Sequence, residues 1–95
     1  MAVAVQMDFE GATLDQYDQV IEKMGFAPEG DGAEGGIFHW VAATADGIRI
    51  VDVWETQEQF EAFAAQEIGP ITMAVGVPNP PTVTFYEVHN ILTGP

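Results

Sequence analysis

The chain has 95 residues, the size of one domain, and we expect a single domain over residues 1–95. Fifteen acidic residues against two basic ones give a formal net charge of −13, which argues against nucleic acids, anionic membrane surfaces, nucleotides and coenzyme A as partners. Cysteine is absent, which excludes disulfides and thiolate metal sites.

The N-terminal residues lack the basic start and long apolar run of a secretion signal. No window approaches the roughly 20 apolar residues of a membrane span. We therefore expect a cytoplasmic protein without membrane association. Its negative charge would serve solubility or adaptation of the host to salt.

The first elements are a strand and a helix. Val3–Asp8 predicts the strand, and Thr13 with Gln16 has the pattern of a capping box. Apolar residues then follow at helical spacing until Gly25, which fits a helix stop. Residues 25–36 combine five glycines with acidic residues and predict a loop, either a plain connection or a lid over a pocket.

A β-hairpin follows this loop. Ile37–Ala45 and Ile48–Glu55 read as strands joined by Asp46-Gly47, a dipeptide typical of a two-residue type I′ turn. In that register His39 faces Trp54, Val41 faces Asp52, and all four side chains share one side of the sheet. His39 would then lie diagonally across from Asp52, within side-chain reach.

The second half of the chain predicts another helix and a final strand. Thr56 and Gln59 repeat the capping-box pattern, and Gly69-Pro70 is expected to end the helix. Ile71–Val77 is a candidate short helical turn, and Thr82–His89 is the last strand. The order β-α-β-β-α-β predicts an α+β, ferredoxin-like sandwich.

Two helices cover only one face of such a sheet. The uncovered face is predicted to be an apolar patch that holds Trp40, Val51, Val53 and Phe85. Because soluble monomers rarely expose a large apolar patch, we expect a homodimer joined through its sheets.

Several segments together resemble a known group of proteins. They are Thr13–Asp18, His39, the run from Val51 through Thr56 into Phe60–Phe63, and Val88–Asn90. The chain resembles the dimeric α/β-barrel superfamily, especially small proteins similar to antibiotic-biosynthesis monooxygenases. The resemblance implies a pocket between helices and sheet in each subunit and dimerisation through the sheets. The superfamily includes cofactor-free oxygenases, polyketide cyclases, haem-degrading oxygenases, isomerases and members without known activity.

Cofactor binding has little support in the sequence. Haem-degrading relatives carry an asparagine on the first strand, where this chain has Gln6 and Asp8. Two basic residues also serve haem propionates poorly, and no glycine fingerprint for flavin or nicotinamide is present. We expect an activity that needs no cofactor.

The leading candidate catalytic residues are His39 and Asp52. A carboxylate that orients an imidazole would allow it to remove a proton from a phenol or a 1,3-dicarbonyl carbon. The alternative is that the two side chains only satisfy each other in a half-buried sheet. His89 is either a second acid or base or a contact near the dimer seam. A metal site on these residues is not expected, because no close His-x-His pair exists.

The candidate substrate-binding residues are aromatic or contain a thioether. Tyr17 and Tyr86 would hold a substrate oxygen, or would be core residues with their hydroxyls at the rim. The other candidates would form either pocket wall or core: Met24, Trp54, Phe60 and Phe63.

The sequence thus favours a small cofactor-independent enzyme that acts on an aromatic or polyketide-like molecule, by oxygenation or cyclisation after proton abstraction. The alternative is a non-catalytic ligand-binding or assembly dimer. A metal-dependent isomerase or lyase is a third possibility.

Overall fold

A computed structural model describes residues 1–95. Its elements are β1 (Val3–Glu10), α1 (Leu14–Met24), β2 (Gly36–Ala43), β3 (Gly47–Trp54), α2 (Gln57–Phe63), a π-helical segment (Ala64–Ile68), α3 (Gly69–Val75) and β4 (Thr82–Glu87). The strands form one antiparallel sheet in the order β2-β3-β1-β4. This confirms the ferredoxin-like β-α-β-β-α-β arrangement. None of the helices combines the length and apolar character needed to traverse a bilayer.

The helix starts follow the sequence pattern closely. Thr13 accepts a hydrogen bond from the Gln16 backbone N–H, and the Gln16 side chain accepts one from the Thr13 N–H. Thr56 and Gln59 form the same reciprocal pair at α2. Each box satisfies backbone donors that a helix start leaves unpaired, so local sequence is enough to set these boundaries.

The predicted end of the second helix at Gly69-Pro70 is wrong. Gly69 has helical backbone angles (φ −58°, ψ −59°), and its N–H donates to the carbonyl of Ala64. This wider, π-type turn leads directly into α3, where Pro70 lies in the first turn and has no backbone N–H to donate. The helical path therefore runs on to Gly76, whose φ of 90° ends it.

The predicted hairpin turn is also wrong. The turn centres on Ala45 and Asp46, because the Thr44 N–H donates to the Gly47 carbonyl at 2.8 Å. Gly47 belongs to β3 and does not have a positive φ. A Cβ at Gly47 would lie 2.0 Å from the Phe9 carbonyl oxygen. The glycine thus permits β1 to approach, and is not required by a type I′ turn.

The shorter strands change the hairpin register by two residues. His39 lies directly opposite Asp52, and Val41 lies opposite Ile50. An irregularity between Gly36 and Phe38 places Gly36, not His39, opposite Trp54. Because the shift is even, every side chain keeps its predicted side of the sheet.

The two faces of the sheet differ sharply in burial. The face under the helices, here called the covered face, holds the core residues of β1 and β3: Val3, Val5, Met7, Phe9, Ile48, Ile50 and Trp54. The opposite, open face leaves Phe38, Trp40 and Tyr86 with 50%, 41% and 54% of their surface exposed. Phe85 was predicted on the open face, but it lies opposite Val5 and packs against Phe60 on the covered face.

Candidate functional site

Four side chains on the covered side of the sheet form a continuous hydrogen-bonded chain. The indole Nε1–H of Trp54 donates to Oδ2 of Asp52 at 3.1 Å. The other carboxylate oxygen, Oδ1, lies 2.5 Å from Nδ1 of His39. The far ring nitrogen of His39, Nε2, lies 2.5 Å from the Tyr17 hydroxyl. The chain thus connects a buried carboxylate to a phenol on α1.

Strand pairing and helix position together build this chain. His39 and Asp52 are a directly opposed cross-strand pair, and Trp54 lies two residues beyond Asp52 on the same face. Helix α1 lays the Tyr17 ring nearly parallel to the imidazole, with ring centroids 5.8 Å apart. The helix therefore supplies the one member of the chain that the hairpin does not contain.

The donors and acceptors in the chain set the direction of the hydrogen bonds. An indole N–H can only donate, and an ionised carboxylate can only accept. Asp52 therefore accepts from Trp54 and from Nδ1–H of His39, which leaves Nε2 of a neutral His39 as an acceptor. The Tyr17 hydroxyl then donates to Nε2, and its oxygen lone pairs remain free for a ligand.

The Tyr17 phenol is held in its protonated form. Burial raises the pKa of this hydroxyl above its ordinary value, and the negative charges of Asp52 and Asp18 raise that pKa further. Tyr17 is therefore suited to carry a proton at neutral pH.

A cleft of about 1000 Å³ opens beside the hydrogen-bonded chain. Tyr17, His39, Asp52 and Trp54 all contribute to its lining, and residues of the 25–36 loop form another wall. The His39 side chain is 42% exposed, whereas that of Asp52 is 8% exposed. The imidazole is thus accessible to a ligand while its carboxylate partner is withdrawn from water.

A second, smaller cavity lies between α1, α3 and the sheet. Its volume is about 50 Å³, and eleven of its twelve lining residues are apolar. Tyr17, Ile21 and Met24 line both this cavity and the cleft. It is too small for an aromatic ring system, so the cleft is the candidate ligand site.

The structure brings six of the nine candidate site residues together along the cleft: Tyr17, Met24, His39, Asp52, Trp54 and Phe63. Phe60 is not among them; it is 3% exposed and packs in the core. Tyr86 lies on the open face, away from His39. His89 follows β4 as an exposed residue and does not line the cleft.

Sequence reasoning missed Phe26, which stacks on Phe63 with ring centroids 6.3 Å apart and lines the cleft. The signal was present in the helix stop. The Gly25 N–H bonds to the Glu22 carbonyl and the Phe26 N–H to the Ile21 carbonyl, which is the Schellman pattern. An apolar residue after the glycine of that motif normally packs back toward the helix.

The lining offers little to a metal or an anionic cofactor. No three histidine, aspartate or glutamate side chains gather as potential metal ligands. No lysine or arginine lines the cleft, although phosphates and propionates normally take such partners. What the arrangement offers is a proton acceptor at the edge of an aromatic cleft.

No protein-family model matches the sequence, and no curated protein is significantly similar to it. Solved structures do match. A monooxygenase from the ActVA-Orf6 gene of Streptomyces coelicolor, in complex with nanaomycin D, is 18% identical with a TM-score of 0.58, over 99% of this chain and 92% of that chain. A candidate antibiotic-biosynthesis monooxygenase from Deinococcus radiodurans is 13% identical with a TM-score of 0.62, over 98% and 97% of the two chains.

A variant of SnoaB, a cofactor-independent oxygenase from Streptomyces nogalater, is 13% identical with a TM-score of 0.57, over 98% and 96% of the two chains. At these identities the likeness defines the fold. The chain has the ferredoxin-like fold of antibiotic-biosynthesis monooxygenase structures, and the resemblance read from the sequence is confirmed at that level.

Proposed function

We propose that this protein is a small cofactor-independent enzyme that removes a proton from an aromatic or polyketide-like molecule bound in the cleft. The observation that carries the proposal is the hydrogen-bonded chain from Trp54 through Asp52 and His39 to Tyr17, which ends at the cleft. In this hydrogen-bonded series each side chain has a partner, and the Tyr17 oxygen at the cleft end keeps lone pairs that can accept a hydrogen bond from a ligand.

The proton would leave the ligand in a relay. A ligand hydroxyl donates to the Tyr17 oxygen while the Tyr17 proton passes to Nε2 of His39. The imidazolium that forms then has the Asp52 carboxylate on its other nitrogen, which favours the positive charge. Trp54 fixes the second carboxylate oxygen, so the relay needs no large rearrangement.

The ligand anion would then react in one of two ways. In oxygenation, a ring CH₂ and O₂ become a carbonyl and water, which balances atoms and electrons without an added reductant. In cyclisation, the carbanion adds to a carbonyl of the same molecule, and the new alkoxide takes the proton back. Two of the similar structures are a monooxygenase and a cofactor-independent oxygenase, which supports oxygenation as the first reaction to test.

The test is O₂ uptake and product analysis on a panel of quinols, anthrones and poly-β-ketones. Replacement of His39 by Gln removes the proton acceptor and is expected to lower turnover at least about 100-fold, the usual contribution of a general base. His89→Gln is the matched control, because the only other histidine is exposed and outside the cleft. Equal turnover by both variants, or no turnover of any panel member by the wild type, would refute the proposed enzymatic activity.

A non-catalytic ligand-binding dimer remains the alternative function, because the same chain of hydrogen bonds also stabilises a sheet. Ligands that bind in the cleft with equal affinity to the wild type and His39→Gln, without conversion, would favour it.

The functional unit proposed here is a homodimer formed through the open face. Phe38, Trp40 and Tyr86 remain exposed there, and only 13 of 95 residues are buried in the single chain. A second copy would remove these aromatic side chains from water. Sedimentation should give twice the chain mass at micromolar concentration, and Trp40→Glu should reduce it to one chain. A wild-type mass of one chain would refute the dimer.

A further inference from the structure

Among the aspartate, glutamate, lysine and arginine side chains of the protein, only acidic ones line the cleft. Asp18 and Glu22 contribute from α1, Glu29 and Asp31 from the loop that follows it, and Asp52 from the floor. Neither of the two basic residues of the chain lines the cleft. Arg49 is held on the open face, where its Nε donates to Asp8 Oδ1 at 2.7 Å.

The four carboxylates at the rim have no cationic partner within the chain. The salt bridges of the structure are His39–Asp52 and Arg49–Asp8, and neither includes a rim residue. One rim carboxylate acts on the site directly, since Asp18, together with burial and with Asp52 of the floor, raises the pKa of the Tyr17 hydroxyl. A concave surface lined by one sign of charge concentrates ligands of the opposite sign.

This field also bears on the chemistry. Proton removal from a neutral phenol creates an anion beside several carboxylates, which the negative field opposes. A positive group on the ligand would compensate for that repulsion. It would also lie near aromatic side chains that line the same cleft, among them Phe26 and Phe63, and aromatic rings can attract a nearby cation.

We infer that the ligand of this cleft is an aromatic phenol or quinol that carries a basic amine, positively charged at neutral pH. This inference rests on the proposed function for the reacting hydroxyl, and it adds the charge class of the substrate. The amine would lie toward the rim carboxylates, while the hydroxyl lies at Tyr17. Carboxylate- or phosphate-bearing aromatics would be rejected.

The test uses three hydroxynaphthalenes that differ in one substituent: aminomethyl, hydroxymethyl or carboxylate. Calorimetric titration at low salt should show the tightest binding for the amine and the weakest for the acid. We expect about tenfold or more between these two, as close complementary charges give. The preference should shrink at about 1 M salt, where screening acts within about 3 Å.

A double variant locates the source of the preference. Asp18→Asn with Glu22→Gln should reduce the amine-to-acid ratio several-fold. Glu58→Gln with Glu61→Gln removes the same charge from α2, outside the cleft, and should leave the ratio as in the wild type. Equal changes in both double variants would assign the preference to net charge and overturn the inference.

Other outcomes are equally decisive. Equal binding of the amine and the acid, or no binding of any of the three compounds, would overturn the inference. O₂ uptake on the amine compound and on the quinol panel is measured separately. If the amine binds most tightly and the acid most weakly but no compound is turned over, the proposed enzymatic activity is refuted and the charge class of the ligand is supported.

Discussion

The two faces of the sheet place the same residue types in different environments. The chain has two tyrosines and two histidines. Tyr17 and His39 meet at 2.5 Å over the covered face, whereas Tyr86 is exposed on the open face and His89 follows β4. Residue type alone therefore does not define the candidate site. A tyrosine or histidine must also have a hydrogen-bond partner and lie beside the cleft.

Two aspartates make the same contrast. Asp52 is 6% exposed and accepts from two side chains on the covered face. Asp8 pairs with Arg49 on the open face, with 35% of its side chain exposed. The hydrogen bond from Arg49 lowers the pKa of Asp8, but water competes with that pair, and such exposed pairs contribute little to stability. Burial, not pairing, separates the two carboxylates.

The largest difference between the faces should appear in core truncation. Phe60→Ala removes a ring that contacts Trp54 and Phe85 on the covered face, and should lower the free energy of unfolding by about 3–5 kcal/mol. Phe38→Ala on the open face removes a half-exposed ring and should cost about 1 kcal/mol or less within one chain. Urea titrations of both variants test this.

Protein concentration sharpens that result. If the open face is a dimer interface, the midpoint of Phe38→Ala should fall further behind the wild type as concentration rises, because the wild type gains stability by association. Equal destabilisation by the two variants at every concentration would contradict the assignment of faces.

The next largest difference is expected when the carboxylate charge of Asp52 or of Asp8 is removed. Asp52→Asn leaves one oxygen acceptor where the carboxylate has two, so either the Nε1–H of Trp54 or the Nδ1–H of His39 loses its acceptor. The expected cost is about 1–3 kcal/mol of unfolding free energy. Asp8→Asn should leave the urea midpoint close to that of the wild type. A larger effect at Asp8 would invert the comparison.

The smallest expected effect is a pH dependence at Tyr17. Burial raises its folded-state pKa above the ordinary tyrosine value of about 10, so the folded chain holds this proton more tightly than the unfolded chain. The contribution of this proton to the unfolding free energy is complete below about pH 10 and is lost as pH rises through the folded-state pKa. Unfolding free energies between about pH 8 and pH 11 should fall less for Tyr17→Phe than for Tyr86→Phe. Identical slopes would show that Tyr17 is not buried in solution.

Much of the hairpin was predictable from the residue pattern, even though its turn was not. The predicted turn at Asp46-Gly47 shifted the register by two residues, yet His39 and Asp52 stayed on one face. Side chains alternate with a period of two, so an even error preserves faces. The direct His39–Asp52 pair required the true turn at Ala45-Asp46, which depends on contacts of Gly47 with β1.

The misplaced elements share a different cause. The face of Phe85 is set by how β4 pairs with β1 across the sheet. The residues of β4 alone do not show that pairing, and the prediction of the open face is therefore wrong. The dipeptide Gly69-Pro70 is typical of a helix end, but here a π-type turn continues the helical path through it. Neither outcome is encoded within a few neighbouring residues.

By itself the sequence determined the order of the elements, the N-terminal helix caps, the alternation of each strand and the strongly negative charge, because these depend on local backbone chemistry and composition. Only the tertiary structure decided that Tyr17 completes the His39–Asp52 pair, that Phe60 is core, and that a rim of carboxylates surrounds the cleft. These features arise where α1, its following loop and the hairpin meet, and contacts between segments distant in sequence are selected by packing of the whole fold.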